Sequence, residues 1–225
     1  MTANIRVDYI GREQQPVIII DGFVRDPMAL RTEAEGLSYT VMGAFYPGIR
    51  APVSESRIRQ FMAPISDLIA ETFGFKGHAQ LLNAAYSIVT TPPSQLTPIQ
   101  RLPHYDGLDP ERIALLHYLS PSEQGGTSFF RHRSTGYECV TQDRYARFAD
   151  ALTADVARHG LPGPGYIESD TAIYERIAHY EASVNRALIY RGYTLHCASI
   201  PADYPLSTDP RQGRLTVNTF LLGST

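Results

Sequence analysis

The chain has 225 residues, 43% of them hydrophobic and 19% charged, with a formal net charge of −3 at pH 7. That length and balance fit one globular domain and exclude a disordered or fibrous chain. The charge gives no electrostatic reason to expect nucleic acid or an anionic membrane as partner, and no apolar run reaches the roughly 20 residues that span a bilayer. Two cysteines, Cys139 and Cys197, are too few for a disulfide framework or a thiolate zinc site. Met1 to Tyr9 lacks the basic-then-apolar pattern of a secretory leader, so the expected location is the cytoplasm.

Pro16 to Ile20 is a short β-branched run closed by Asp21-Gly22, which predicts a buried strand and a turn. Asp26-Pro27 then offers an N-cap and an N1 proline for a helix over 28–35 that stops at Gly36. Tyr46 to Pro52 reads as a rigid turn presenting Tyr46 and Arg50. A second helix is predicted over 54–73, with Ile58, Phe61, Ile65, Leu68 and Ile69 at helical spacing, Pro64 as a break and Gly74 as its stop. From Ala79 the pattern turns to strands: 79–90, 113–119 and 127–131, the last two separated by Gly125-Gly126. Helical spacing returns over 141–159, and a further short helix is expected over 169–179. Three closing strands are predicted over 187–190, 195–200 and 215–222. The order implies an α+β chain around a mostly antiparallel sheet system, with short strands and Gly/Pro turns favouring a jelly-roll or barrel.

The chemistry begins at Pro103-His104-Tyr105-Asp106-Gly107. Residues two apart on an extended segment project to the same side, so His104 and Asp106 can converge on one ion. Alone the triplet is weak, because Asp106-Gly107 is also a good turn pair. His196, after the glycine turn in Tyr190-Arg191-Gly192-Tyr193-Thr194-Leu195-His196, is the best third ligand. Two histidines and one carboxylate make a facial triad for non-haem Fe(II), with zinc as the competitor. His117, inside an apolar strand, reads as a hydrogen-bonded core or pocket residue, and His78, His132, His159 and His179 read as solvated.

Further on comes Gly213-Arg214-Leu215-Thr216-Val217-Asn218-Thr219-Phe220. On a strand, Arg214, Thr216 and Asn218 share one face. A guanidinium beside a hydroxyl can hold a carboxylate, although a surface ion pair would use the same arginine. Phe130-Arg131-His132-Arg133 and the Tyr46–Pro52 turn add Arg131 and Arg50 as candidate substrate contacts for an anionic group, again against surface ion pairs.

Taken in order, Pro-His-Tyr-Asp at 103–106, Ile-Ala-Leu-Leu-His-Tyr-Leu at 113–119, Gly-Gly-Thr-Ser-Phe-Phe at 125–130, Thr-Leu-His at 194–196 and Gly-Arg-Leu-Thr at 213–216 resemble the Fe(II)- and 2-oxoglutarate-dependent dioxygenases. The resemblance is to their prolyl-4-hydroxylase-like branch in particular, and it covers about 81–222. It implies one domain over 1–225: supporting helices and a strand in 1–78, then a double-stranded β-helix (jelly-roll) core over 79–225 with a helical insertion near 141–179. It also implies Fe(II) held by His104, Asp106 and His196. The 2-oxoglutarate carboxylate would be held by Arg214 with help from Thr216, and Tyr86 matches a tyrosine that often bonds the co-substrate. The implied reaction consumes O2 and hydroxylates a C–H bond in an amino acid, a peptide or another small substrate. A cupin-like metalloenzyme without 2-oxoglutarate and a non-catalytic jelly-roll are the competing readings. A homodimer through the insertion or the early helices is left open.

Overall fold

The computed structural model describes residues 3–43, 45–120 and 125–224. In chain order the strands and helices are β1 (Asn4–Ile10), β2 (Gln15–Asp21), α1 (Pro27–Glu35), β3 (Gly48–Pro52), α2 (Glu55–Met62), α3 (Ser66–Phe73), β4 (Gln80–Val89), β5 (Arg112–Tyr118), β6 (Gly126–His132), α4 (Tyr145–His159), β7 (Tyr174–Glu181), β8 (Arg186–Arg191), β9 (His196–Ser199) and β10 (Arg214–Leu222). A seven-stranded sheet runs β1-β2-β8-β5-β10-β4-β3, and a three-stranded sheet runs β7-β6-β9. All pairings within both sheets are antiparallel. The two sheets face each other across a shared core in which Val17, Ile19, Ala114 and Leu188 of the larger meet Phe129 and Tyr180 of the smaller. The architecture is a jelly-roll.

The helices follow their sequence signals. Asp26 caps α1 by accepting from the Ala29 N–H at 3.0 Å, with Pro27 in the first turn where its missing N–H is no loss. Ser54 caps α2 in the same way. Pro64 breaks the long periodic stretch as expected: α2 gives way to a 3-10 turn over Ala63–Ile65 before α3 begins. Gly74, at φ +73°, ends α3 in a left-handed cap. Ile65, Ile69 and Phe73 pack on Ile18, Ile113, Leu115 and Ile189, and Leu30, Ile58 and Phe61 pack on Tyr86, Ile88 and Val217. These contacts cover the outer face of the large sheet, each fully buried side chain contributing about 1.5–3 kcal/mol.

Four expectations change. β1 was not foreseen, although Ile5, Val7 and Tyr9 alternate with polar residues as a half-buried edge strand does; its apolar face is only partly covered. Gly48 to Pro52, expected as a turn, is β3, paired with β4 in register Arg50↔Ser87. The first 78 residues therefore supply three strands to the large sheet as well as helices. Residues 169–179 are not helical: they lead into β7, on the edge of the small sheet. There Phe129 opposes Ala178 and Phe130 opposes Arg176, so Ile177 is an extra residue, a β-bulge. That residue breaks the period of two and gives the stretch its helix-like spacing. The region 141–179 thus holds one helix, a loop and part of a strand, not an all-helical insertion.

Candidate active site

Strand pairing brings the two histidine segments together. The His104 N–H donates to the His196 carbonyl and the His196 N–H to the His104 carbonyl, each at 2.8 Å. The Asp106 N–H donates to the Gly192 carbonyl at 2.7 Å, which fixes the carboxylate beside both rings. His104 Nε2 lies 3.7 Å from Asp106 Oδ1, and His196 Nε2 lies 3.4 Å from Asp106 Oδ2. One ligand atom from each of the three residues lies within 4.8 Å of the others. Metal–ligand bonds of about 2.1 Å in a mutually adjacent arrangement need donors about 3 Å apart, so small side-chain rotations bring all three to one ion.

The electrostatics suit ligation. His196 Nδ1–H donates to the Thr194 carbonyl at 2.8 Å, which leaves the Nε2 lone pair for a metal. Burial pushes both His104 and His196 down to about 4, so each imidazole is neutral, the ligating form. Burial also raises the Asp106 carboxyl, opposed by His104, Arg112 and Arg50. The accessible part of His104 faces a cavity of about 700 Å³ that Asp106 and His196 also line.

Across this cavity lies the inward face of β10, with Arg214, Thr216, Asn218 and Phe220 in its wall. Arg214 is only 3% exposed. Its Nη2 donates to the Gly126 carbonyl at 2.9 Å and its guanidinium carbon stands 5.4 Å from the centre of the Tyr118 ring. Its buried Nε has no hydrogen-bond partner. A buried guanidinium with a donor to spare needs an anion. The Thr216 hydroxyl donates to Asn218 Oδ1 at 2.9 Å. Register sets Arg50, Ser87, Thr216 and Tyr118 in one row across β3, β4, β10 and β5. Arg50 stacks over the Tyr46 ring at 4.1 Å, and the buried Tyr46 hydroxyl has no partner. Burial pushes Tyr46 up to about 12 against the pull of Arg214 and Arg50, so it stays a neutral donor.

Other residues fall elsewhere. Tyr86 is fully buried on the opposite face of β4, packed with Ala51, Ile58, Leu215 and Val217, and does not line the cavity. This removes it as a co-substrate contact. Arg131 also lies outside: it is held by buried Glu138, and its Nη1 donates to Glu175 at 2.8 Å. Glu138 in turn accepts the Arg12 and Glu13 N–H groups at 2.9 Å, tying the β1–β2 turn to the small sheet. Arg131 is therefore a structural ion pair, not a substrate contact. His132, expected in solvent, is buried against Phe148 and reaches Asp155 on α4 at 3.1 Å. His117 lies on the helix-covered face, wedged against Phe23 and bonded to Asn185. Sequence reasoning missed the cavity residues Tyr166 and Tyr190, and the α4 face of Tyr145, Phe148 and Leu152 that walls its mouth. Parity along β8 places Tyr190 with Leu188, but only strand pairing shows which face is inward.

Against known proteins, the profile of a family of unknown function, DUF6445, matches residues 1–221, and the chain belongs to that family. A search of curated proteins finds no matching sequence. Solved structures share the fold. The non-heme alpha-ketoglutarate-dependent carbocyclase SnoK from nogalamycin biosynthesis aligns at 14% identity with a TM-score of 0.54, over 94% of this chain and 81% of its own. The epimerase SnoN from the same biosynthesis, described in the same terms, aligns at 12% identity with a TM-score of 0.51, over 95% and 80%. HygX from Streptomyces hygroscopicus, solved with nickel, 2-oxoglutarate and hygromycin B, aligns at 15% identity with a TM-score of 0.50, over 96% and 88%.

Proposed function

We propose that this protein is an Fe(II)- and 2-oxoglutarate-dependent oxygenase acting on a small organic substrate. One observation carries the reading: a His-Asp-His cluster and a buried arginine with an unused donor face the same cavity. The donor set fits Fe(II): two neutral imidazoles and one carboxylate on adjacent positions leave room for co-substrate and oxygen. His104, Asp106 and His196 would hold the metal, and Arg214 would hold the far carboxylate of 2-oxoglutarate. Tyr46, with its unpartnered hydroxyl beside Arg214, takes the co-substrate role that sequence resemblance gave to Tyr86.

When bound, the ion with its co-substrate and O2 supplies C–H oxidation: R–H, O2 and 2-oxoglutarate become R–OH, succinate and CO2. The chain's own part is positional. The Thr194 carbonyl orients His196, the Gly192 carbonyl orients the Asp106 segment, and α4 with Met42, Phe45, Tyr46 and Pro47 shields the cavity from water. A carboxylate at Asp106 favours hydroxylation over halogenation, which needs that coordination position for halide. The motif order supports the prolyl-4-hydroxylase-like branch, and the substrate range is an amino acid, a peptide or another small molecule.

Adding Fe(II) and then 2-oxoglutarate to the anaerobic protein should give a weak visible charge-transfer band, and air should then yield succinate. His196→Ala should abolish the band. Arg214→Met should weaken 2-oxoglutarate binding about 100-fold, the scale of a lost charge-assisted pair. A wild-type protein with no band and no succinate would end this reading.

A further inference from the structure

Among the described residues lining the cavity, Asp106 is the only carboxylate, while Arg50, Arg101 and Arg214 are the cations. Arg101 is part-exposed, and its Nε is taken by the Leu96 carbonyl at 3.0 Å. Arg50 differs. It sits on the inward face of β3 in the row that leads to Thr216, pressed on Tyr46, with a buried Nε that has no hydrogen-bond partner. No carboxylate lies within ion-pair distance of it among the described residues. Burial opposes its charge, Tyr46 beside it is neutral, and Asp106 is the carboxylate whose field it feels.

On the proposed function, that field is spent on the metal. A divalent ion, the Asp106 carboxylate, the dianionic co-substrate and Arg214 together balance to zero, since both histidines are neutral. Two part-buried cations are then left over, Arg101 with its Nε on a backbone carbonyl and Arg50 with its Nε unpartnered and closer to the metal-site carboxylate. A lone charge in such surroundings is costly unless an opposite charge joins it. The remaining wall beside it is apolar: Phe45, Ile99, Tyr145, Phe148 and Leu152. Phe45, Ile99 and Tyr145 are 70%, 53% and 44% exposed, so the mouth presents hydrophobic surface.

We infer that the primary substrate is a monocarboxylic acid with an aromatic or aliphatic body, its carboxylate held by Arg50 and its body lying against the apolar mouth. This rests on the proposed function, because it is the loaded metal site that leaves Arg50 unbalanced. Arg50 thereby sets specificity: one net negative charge is matched, and a neutral isostere leaves the guanidinium unpaired.

The test uses full-length protein loaded with Ni(II) and saturating 2-oxoglutarate, so that the Arg214 position is filled. Binding of 3-phenylpropanoate and of 3-phenylpropanamide is measured by ligand-observed NMR titration. The acid should bind at least tenfold more tightly than the amide. Arg50→Met should bring that ratio close to one while 2-oxoglutarate affinity falls far less than in Arg214→Met, and Arg50→Lys should restore part of the preference. Thermal unfolding checks that each variant is folded. Equal binding of acid and amide, or no binding of either, overturns the inference. So does an Arg50→Met protein that loses 2-oxoglutarate as strongly as it loses the acid, since Arg50 would then belong to the co-substrate. Absence of the Fe(II)–2-oxoglutarate band in wild type removes the proposed function itself, whereas a band without acid preference removes only this inference.

Discussion

The Nδ1–H of His196 is committed to the Thr194 carbonyl, and that one bond settles which nitrogen faces Asp106. Similar single-residue logic separates the two tyrosines that could serve the co-substrate. Tyr86 and Tyr46 both have buried hydroxyls with no partner at close hydrogen-bond distance, the first looking toward Glu33 and the second toward Ser87, but Tyr86 lies among the helix-facing side chains and Tyr46 lies at the cavity beside Arg50. Tyr86→Phe should therefore leave the KM for 2-oxoglutarate unchanged and alter stability by less than about 1 kcal/mol, since its hydroxyl has only a long interaction with Glu33 to lose. Tyr46→Phe should raise that KM several-fold. Steady-state kinetics with urea midpoints for both variants check the assignment, and a raised KM for Tyr86→Phe would reverse it.

At the scale of the element, β10 uses both its faces. Leu215 and Val217 join the core under the helices, while Arg214 and Thr216 face the cavity. The proposed anion anchor depends on β6 as well, because Arg214 donates to the Gly126 carbonyl. Gly126 is packed so closely on β7 that an added Cβ would lie 2.1 Å from the Tyr180 carbonyl oxygen. Gly126→Ala must displace one strand. It should cost about 2 kcal/mol or more, and it should weaken 2-oxoglutarate binding by shifting the carbonyl that holds Arg214. Chemical denaturation and co-substrate titration on the same variant read both effects. Unchanged stability would show that the two strands separate freely there.

For the molecule as a whole, acid sensitivity follows from histidines closed inside it. His117 is fully buried, its Nε2–H donates to Asn185 Oδ1 at 3.1 Å, and burial pushes it down to about 4. Asn185 also accepts the Val24 N–H and donates to the Val24 carbonyl, so the pair ties the chain after β2 to the turn before β8. The unfolded chain, with its ordinary histidine near 6.5, takes up the proton first as pH falls. Stability is therefore complete above about pH 6.5, declines as pH drops through the interval to 4, and is lower by on the order of 3 kcal/mol below it. His117→Gln should flatten that part of the curve of unfolding free energy against pH, measured by urea titration. No helix among the described residues is long and apolar enough to cross a membrane.

Much of this was legible in the chain itself. Caps at Asp26 and Ser54, the break at Pro64 and the stop at Gly74 are local chemistry, so they survive folding unchanged. The His104–Asp106 pair and the alternation along 214–220 could be read because two-residue spacing on extended chain fixes which side chains travel together, whereas His196 came in as the best third ligand and through the order of motifs. What local pattern leaves open is which face turns inward. The large sheet is covered on both sides, so neighbours such as Tyr86 and Ser87 are equally buried and carry no sign of direction. Arg131 looked like a site residue for the same reason: only pairing with Glu138, seven positions away, shows that its charge is already met. Residue order alone determined the helix caps, most of the strands and the candidate grouping of His104, Asp106 and His196. The tertiary structure decided the rest, because facing and charge neutrality depend on the partners that two packed sheets bring together from distant parts of the chain.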